Sequence, residues 1–319
     1  MNFFENTSLS DTSIKLYNTK LHEWIGFMPT IFQSLGTIIM FPELAMKSLE
    51  TNLKSNTNTN RHIYIVAIMS FIKHKRDLLS HLSQEEYSTL RVKWVNINNE
   101  NEAPIIQRRL ENKPTDRQQQ KGGAVIDFEE IVEKRDSLPL GSTERLLLAM
   151  YTLIPPTRGD YFATQFIKGD EVATEKNYIR ITEPDRMECV ITDFKTSKTY
   201  KSIRNIFPPQ LVNEINVSLT NHPRSYLFTN SKGEPFSRSH YTIWAGRLLT
   251  KLFATEFTLV FFRHAFITDF ITNKITPETT DAEIKEVSDR MGHSPEMFRG
   301  YKWIRGGGRG EFAAGGGEE

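Results

Sequence analysis

One cysteine, Cys189, stands among 319 residues. That scarcity excludes an internal disulfide framework and a cysteine-based zinc knuckle, and it fits a reducing compartment. Long apolar runs are missing as well. The most apolar stretch, Ile25 to Phe41, is interrupted by Pro29, Gln33, Ser34 and Gly36, a poor match to a bilayer that needs about 20 apolar residues in succession. The opening residues, MNFFENTSLSD, lack the basic region and apolar block of a secretory signal. His22, His62, His74, His81, His222 and His240 have no metal-ligand spacing, so no metal is expected. Excess charge is missing too: 40 Lys and Arg face 39 Asp and Glu, for a net charge of +1. Any affinity for nucleic acid must therefore come from how the cations are arranged.

What is present reads as two domains, the first helical. Ile14, Tyr17, Leu21 and Trp24 share one helical face, and Ile65, Val66, Met69 and Ile72 another. The polar run TNLKSNTNTNR between them reads as an exposed loop. Ser83 and Glu86 have capping-box spacing ahead of Tyr87, Leu90 and Trp94. The segment ENKPTDRQQQKGG, residues 111 to 123, has the charge, glutamine and glycine content of a hinge. It sets expected domains of 1–120 and 121–305, with 306–319 a low-complexity tail.

In the second domain, Phe128 to Leu138 and Thr143 to Ile154 read as helices. Pro155 and Pro156 stop the latter and leave Arg158 just past its end. Three β-like runs follow, Tyr178 to Thr182, Met187 to Phe194 and Tyr200 to Phe207, with Lys195 and Lys198 at the tip of a hairpin. Ile284, Val287 and Met291 line a helix that Gly292 ends. The expected fold is mainly α with a small antiparallel β-sheet.

Some of these groups suit a phosphodiester. Arg158 and Arg263 are permanently charged forks that fit phosphate oxygens, and two of them can stabilise a pentavalent transition state. Lys195 could protonate a departing 5′-oxygen. His293 lies eight residues before Tyr301, whose phenol, with an ordinary pKa of about 10, needs cationic neighbours to attack at neutral pH. Lys73, His74, Lys75 and Arg76 at the end of an apolar helix read either as a solvated helix terminus or as contacts to DNA phosphates. His264 reads as a packing or hydrogen-bonding residue.

The ordered motifs TRGDY, KTSKT, YLFTNSKGEPFS, FRHAF and MGHSPEMFRGY resemble those of the tyrosine-recombinase, or phage-integrase, superfamily. They cover about residues 140 to 303. TRGDY and KTSKTYK have the wording of relatives in eukaryotic DNA viruses and mobile elements. The resemblance implies a helical core-binding domain and an α+β catalytic domain that clamp double-stranded DNA, with tetramers on paired sites and neither membrane nor cofactor involved. It assigns Arg158 and Arg263 as the two catalytic arginines and Lys195 as the hairpin lysine, with Lys198 as the alternative. It makes His293 the histidine-or-tryptophan position, Tyr301 the nucleophile and Asp160 the acidic support of the first arginine. Lys73, Lys75, Arg76 and Lys198 are expected to contact DNA.

Two positions depart from that pattern. The family's histidine three residues before the second arginine is Val260 here, which can neither donate nor accept a proton, and only KWIR separates Tyr301 from the glycines. The expected activity is site-specific cleavage and rejoining of DNA through a 3′-phosphotyrosine. The alternatives are a type IB topoisomerase, which uses nearly the same residues to relax supercoils, and a DNA-binding module with impaired catalysis. The host compartment would be wherever the target DNA resides, the nucleus in a eukaryote.

Overall fold

Ser10, Ser34 and Thr57 each turn a side-chain oxygen onto a backbone N–H three residues on, which satisfies a donor that the first helical turn cannot. These caps start α1 (Asp11–Phe27), α2 (Leu35–Met40) and α4 (Asn58–His74), and Pro42 opens α3 (Pro42–Asn52). Ser83 and Glu86 close the expected capping box, each side chain accepting from the other's amide, ahead of α5 (Gln84–Leu110). This is a computed structural model describing residues 2–115, 118 and 126–303. The chain divides into two units, Met1–Leu110 and Glu111–Glu319. Most of the expected hinge at 111–123, and the whole tail at 306–319, lie outside the described residues.

The first unit is built on two indoles. Trp24 and Trp94 meet edge to face at 5.8 Å, and their N–H groups donate to the carbonyls of Ala45 and Ile39, each at 3.0 Å. A buried indole needs such a partner. Helix α4 packs on both α1 and α5, so its buried surface is wider than the expected stripe. Ile65 and Ile72 are buried together with Tyr64, Ala67, Ile68 and Phe71, while Val66 and Met69 are only partly covered.

The second unit begins with α6 (Phe128–Asp136) and α7 (Thr143–Thr152), the latter buried from Leu146 to its end. A sheet follows, made of β1 (Gln165–Lys168), β2 (Asn177–Glu183), β3 (Arg186–Ile191) and β4 (Ile203–Ile206), in the order β1-β2-β3-β4. The sheet is mixed, which corrects the expected antiparallel one: β1 pairs parallel with β2, and the other two pairs are antiparallel. Four residues are too few to display an alternating pattern, so β1 had no sequence signal. The expected long strand ends also give way. Residues 192–202 form a wide connection holding a single helical turn, α8 (Ser197–Tyr200), in place of a tight hairpin tip.

Helices α9 (Pro209–Asn221), α10 (Arg238–Phe253) and α11 (Leu259–Asp269) follow. After α11 comes a π-helical turn, Phe270–Lys274, then α12 (Asp281–Arg290) and α13 (Pro295–Arg299). One apolar core joins α7, the covered face of the sheet, and α9 to α11.

Candidate active site

Helix α11 carries FFRHAF with apolar side chains on every side, so it runs through the interior and takes Arg263 with it. Arg263 is 0% exposed. A buried guanidinium requires partners for its donors. Nη1 donates to the carbonyls of Pro156 at 3.2 Å and Met291 at 2.9 Å, and Nη2 donates to His293 Nδ1. Burial pushes the Arg263 pKa down to about 10, still well above neutrality, so the cation persists. Its Nε is buried and without a hydrogen-bond partner among the described residues.

Arg158 lies in the loop after α7, where the two prolines end the helix. That loop is fixed from both sides of Arg158. The Tyr151 hydroxyl donates to the Arg158 carbonyl at 2.7 Å, and the Arg158 amide donates to Asp160 Oδ2 at 3.1 Å. Tyr151 also stacks on Phe262 at 4.7 Å, the residue before Arg263, so one buried ring braces both arginine segments.

Gly292 turns the chain out of α12 at φ +70°, and a Cβ there would lie 2.7 Å from Ile203 Cδ1. Only glycine makes this turn without strain. It delivers His293, 2% exposed, to Arg263. Because an arginine can only donate, His293 Nδ1 must be the accepting nitrogen and the ring proton resides on Nε2. Nε2 is buried with no partner among the described residues. Burial, and then the charges of Arg263 and Arg158, hold the His293 pKa far below its ordinary value. At neutral pH His293 is an uncharged N–H donor.

Ser294 caps α13, accepting from the Met297 amide, and this short helix leads to Tyr301. The phenol ring stacks on His293 at 5.5 Å and 16°, and the Arg263 guanidinium lies 4.9 Å from its centre. Burial by itself would raise the phenol's pKa. The charges of Arg263 and Arg158 and hydrogen bonds from both outweigh it, so the pKa falls below 10. Two guanidiniums, one neutral imidazole N–H and one phenol with a lowered pKa thus converge.

His264, read from the sequence as a packing or hydrogen-bonding residue, does both, and its partner is the Tyr301 backbone, which the sequence did not indicate. His264 Nδ1 donates to the Tyr301 carbonyl at 2.8 Å, and the imidazole stacks on Trp303 at 3.7 Å and 15°. Burial lowers the His264 pKa to about 4, so it too is neutral. Its adjacency to Arg263 was the available signal, since neighbouring residues on a helix project in different directions. Val260, one turn before Arg263, is partly exposed.

The lysines are held differently. Lys195 and Lys198 are exposed on the β3–β4 connection. Thr196, beside Lys195, donates its hydroxyl to the Gly292 carbonyl at 2.7 Å, which ties this connection to the residue before His293. In the first unit Lys73 is exposed, Lys75 donates to the Glu5 carbonyl, and Arg76 bonds Gln84 and lies 4.7 Å over the Tyr87 ring. Among the described residues no group of three or more His, Cys, Asp or Glu could hold a metal ion, and no helix is long and apolar enough to cross a membrane.

No protein-family model matches the chain, and no curated protein does. Among solved structures the chain is similar to XerA recombinase, with 15% identity, a TM-score of 0.40, and coverage of 94% of this chain and 90% of that one. It is also similar to XerH site-specific recombinase bound to difH substrate in a pre-cleavage complex, with 13% identity, a TM-score of 0.38, and coverage of 92% and 95%.

Proposed function

We propose that this chain is a tyrosine recombinase that cleaves and rejoins double-stranded DNA through a 3′-phosphotyrosine at Tyr301. The observation that carries the proposal is the convergence of Arg158, Arg263 and the His293 N–H donor on the Tyr301 phenol. A phosphate seated there would meet two guanidinium cations and a neutral donor, of which Arg263 and His293 are held in place before it arrives. Such preorganised groups stabilise a pentavalent phosphorane far better than mobile ones.

In the proposed step the Tyr301 oxygen bonds to phosphorus while the bond from phosphorus to the 5′-oxygen breaks. The phenol loses its proton to water, which the adjacent guanidiniums favour. Lys195 gives a proton to the departing 5′-oxygen, with Lys198 the second candidate. His293 is excluded as the base that takes the phenol proton, because its only lone pair faces Arg263. Val260 supplies no base either. Bond energy is conserved in the phosphotyrosine, so a 5′-hydroxyl from another strand can reseal it with no nucleotide consumed, and two such exchanges in a tetramer recombine two duplexes. Lys73, Lys75, Arg76 and Lys198 would contribute contacts to backbone phosphates, the salt-sensitive part of binding. The corresponding biological event is integration, excision or resolution, with integration of a viral or mobile element among them.

The test is a nicked duplex bearing candidate sites from the ends of the element, incubated in EDTA with wild type and with Tyr301→Phe. A covalent protein–DNA species on a denaturing gel, formed only by wild type, is the expected result. Its absence on DNA that demonstrably binds overturns the proposal in favour of a binding module. Relaxation of supercoiled plasmid without strand exchange assigns the same chemistry to a topoisomerase.

A further inference from the structure

Arg238, the first residue of α10, reaches two loops at once. Its Nη1 donates to Asp160 Oδ1 at 2.7 Å, and Nη2 donates to the Oδ1 and carbonyl of Asp193 at 2.8 and 3.0 Å. The guanidinium lies over the Phe162 ring at 4.4 Å. Asp160 is two residues after Arg158, and Asp193 is two residues before Lys195. Asn177, buried on β2, repeats the tie between the same two loops. Its Nδ2 donates to the carbonyls of Asp160 at 2.9 Å and Asp193 at 3.3 Å, and its Oδ1 accepts from the amides of Thr192 and Asp193.

We infer that Arg238 is a positioning residue that registers the Lys195 loop against the Arg158 loop, so that proton donor and phosphate clamp address one phosphate. The inference rests on the phosphotyrosine reaction proposed above. The Asp160 carboxylate is divided between its two tasks: Oδ2 takes the Arg158 amide and Oδ1 takes Arg238. A planar fork can span Asp160 and Asp193 together, whereas the single ammonium of a lysine cannot hold both in that geometry.

The two loops depend on Arg238 unequally. When Arg238 is lost, the Arg158 loop keeps its bonds from Tyr151 and to Asp160, and the Lys195 loop keeps Asn177's hold on the Asp193 backbone but loses the guanidinium on the Asp193 carboxylate. The Asp193 carboxylate has Arg238 as its ion-pair partner in a half-exposed setting, where such a pair adds little to stability. What Arg238 contributes is therefore geometry on the Lys195 side, and the step that suffers from its loss is protonation of the leaving group.

That step can be bypassed chemically. A duplex whose scissile 5′-oxygen is replaced by sulfur has a leaving group that departs as a thiolate and needs no proton. Full-length wild type, Arg238→Ala and Arg238→Lys are compared on the oxygen and sulfur substrates, reading the rate of covalent adduct formation. On the oxygen substrate Arg238→Ala is expected to be about 100-fold slower than wild type and Arg238→Lys about tenfold slower. Both should fall within about threefold of wild type on the sulfur substrate, which also demonstrates that they fold. An equal slowing on both substrates, or none on oxygen, overturns the inference. If wild type forms no Tyr301-dependent adduct on either substrate, the reaction itself is wrong, a failure distinct from that of Arg238.

Discussion

Arg263 and Lys195 carry the same charge in opposite settings. Arg263 is fully enclosed on a helix and held by Pro156, Met291 and His293, whereas Lys195 is exposed on the connection between two strands. A group that stabilises charge in a transition state gains from being fixed in advance, because no reorganisation remains to be done at the moment of reaction. A proton donor must instead approach the leaving oxygen and be recharged from water, and a solvated side chain on a turn does both. In the proposed reaction Arg263 therefore serves the architecture as well as the chemistry. Lys195, in the same proposal, serves the chemistry alone.

The strongest way to break this contrast is at Arg263. Arg263→Ala removes the donor from two buried carbonyls and from His293 Nδ1. We expect a loss of about 2–4 kcal/mol in denaturant unfolding and adduct formation below detection. A variant as stable as wild type would show that the burial is incidental. Lys195→Ala should behave oppositely, with stability within about 0.5 kcal/mol of wild type and cleavage slowed about 10²–10⁴-fold on ordinary DNA. If Lys198→Ala gives the larger slowing, the proton donor is Lys198 and the contrast moves three residues along the chain.

Gly292 sharpens the comparison, because it links the two settings. Its carbonyl holds Thr196 of the exposed connection, and its turn presents His293 to the buried arginine. At φ +70° with Ile203 2.7 Å from a would-be Cβ, Gly292→Ala should cost about 1–3 kcal/mol and slow cleavage on oxygen and sulfur substrates alike. Slowing confined to the oxygen substrate would place Gly292 with the lysine instead of the histidine.

These positions also mark where the sequence was legible. Arg158, Arg263, His293 and Tyr301 stood out by residue type as candidates for one site, and the fold brings Arg263, His293 and Tyr301 into contact, while Gly292 signalled a helix end by its conformational freedom. The helices were legible through caps and apolar spacing, as at Ser83 and Ile284. Strand β1 was not, because QFIK is too short to alternate. Arg238 was not, because its partners, Asp160 and Asp193, are 78 and 45 residues away, and an arginine at a helix start reads as an ordinary surface cation. The α4 face was drawn too narrow because a helix packed on two neighbours buries residues outside a single stripe.

The smallest expected effect concerns the neutral histidine behind Tyr301. His264 has its pKa lowered by burial from 6.5 to about 4. As pH falls below 6.5 the unfolded chain takes up this proton while the folded chain does not, so His264's contribution is complete above 6.5 and is lost on descending toward 4. The slope is at most about 1.4 kcal/mol per pH unit for one proton. His293 is shifted in the same direction and adds to the loss. His264→Phe keeps an aromatic face for Trp303 but removes the donor to the Tyr301 carbonyl. Its unfolding free energy should fall less steeply between pH 6.5 and 4 than that of wild type, the remaining slope including His293. Adduct formation should slow about tenfold, because a displaced nucleophile loses alignment with the phosphate. An unchanged rate would mean that α13 alone sets Tyr301, and that the buried half of the site is held by Arg263 without help from the residue beside it.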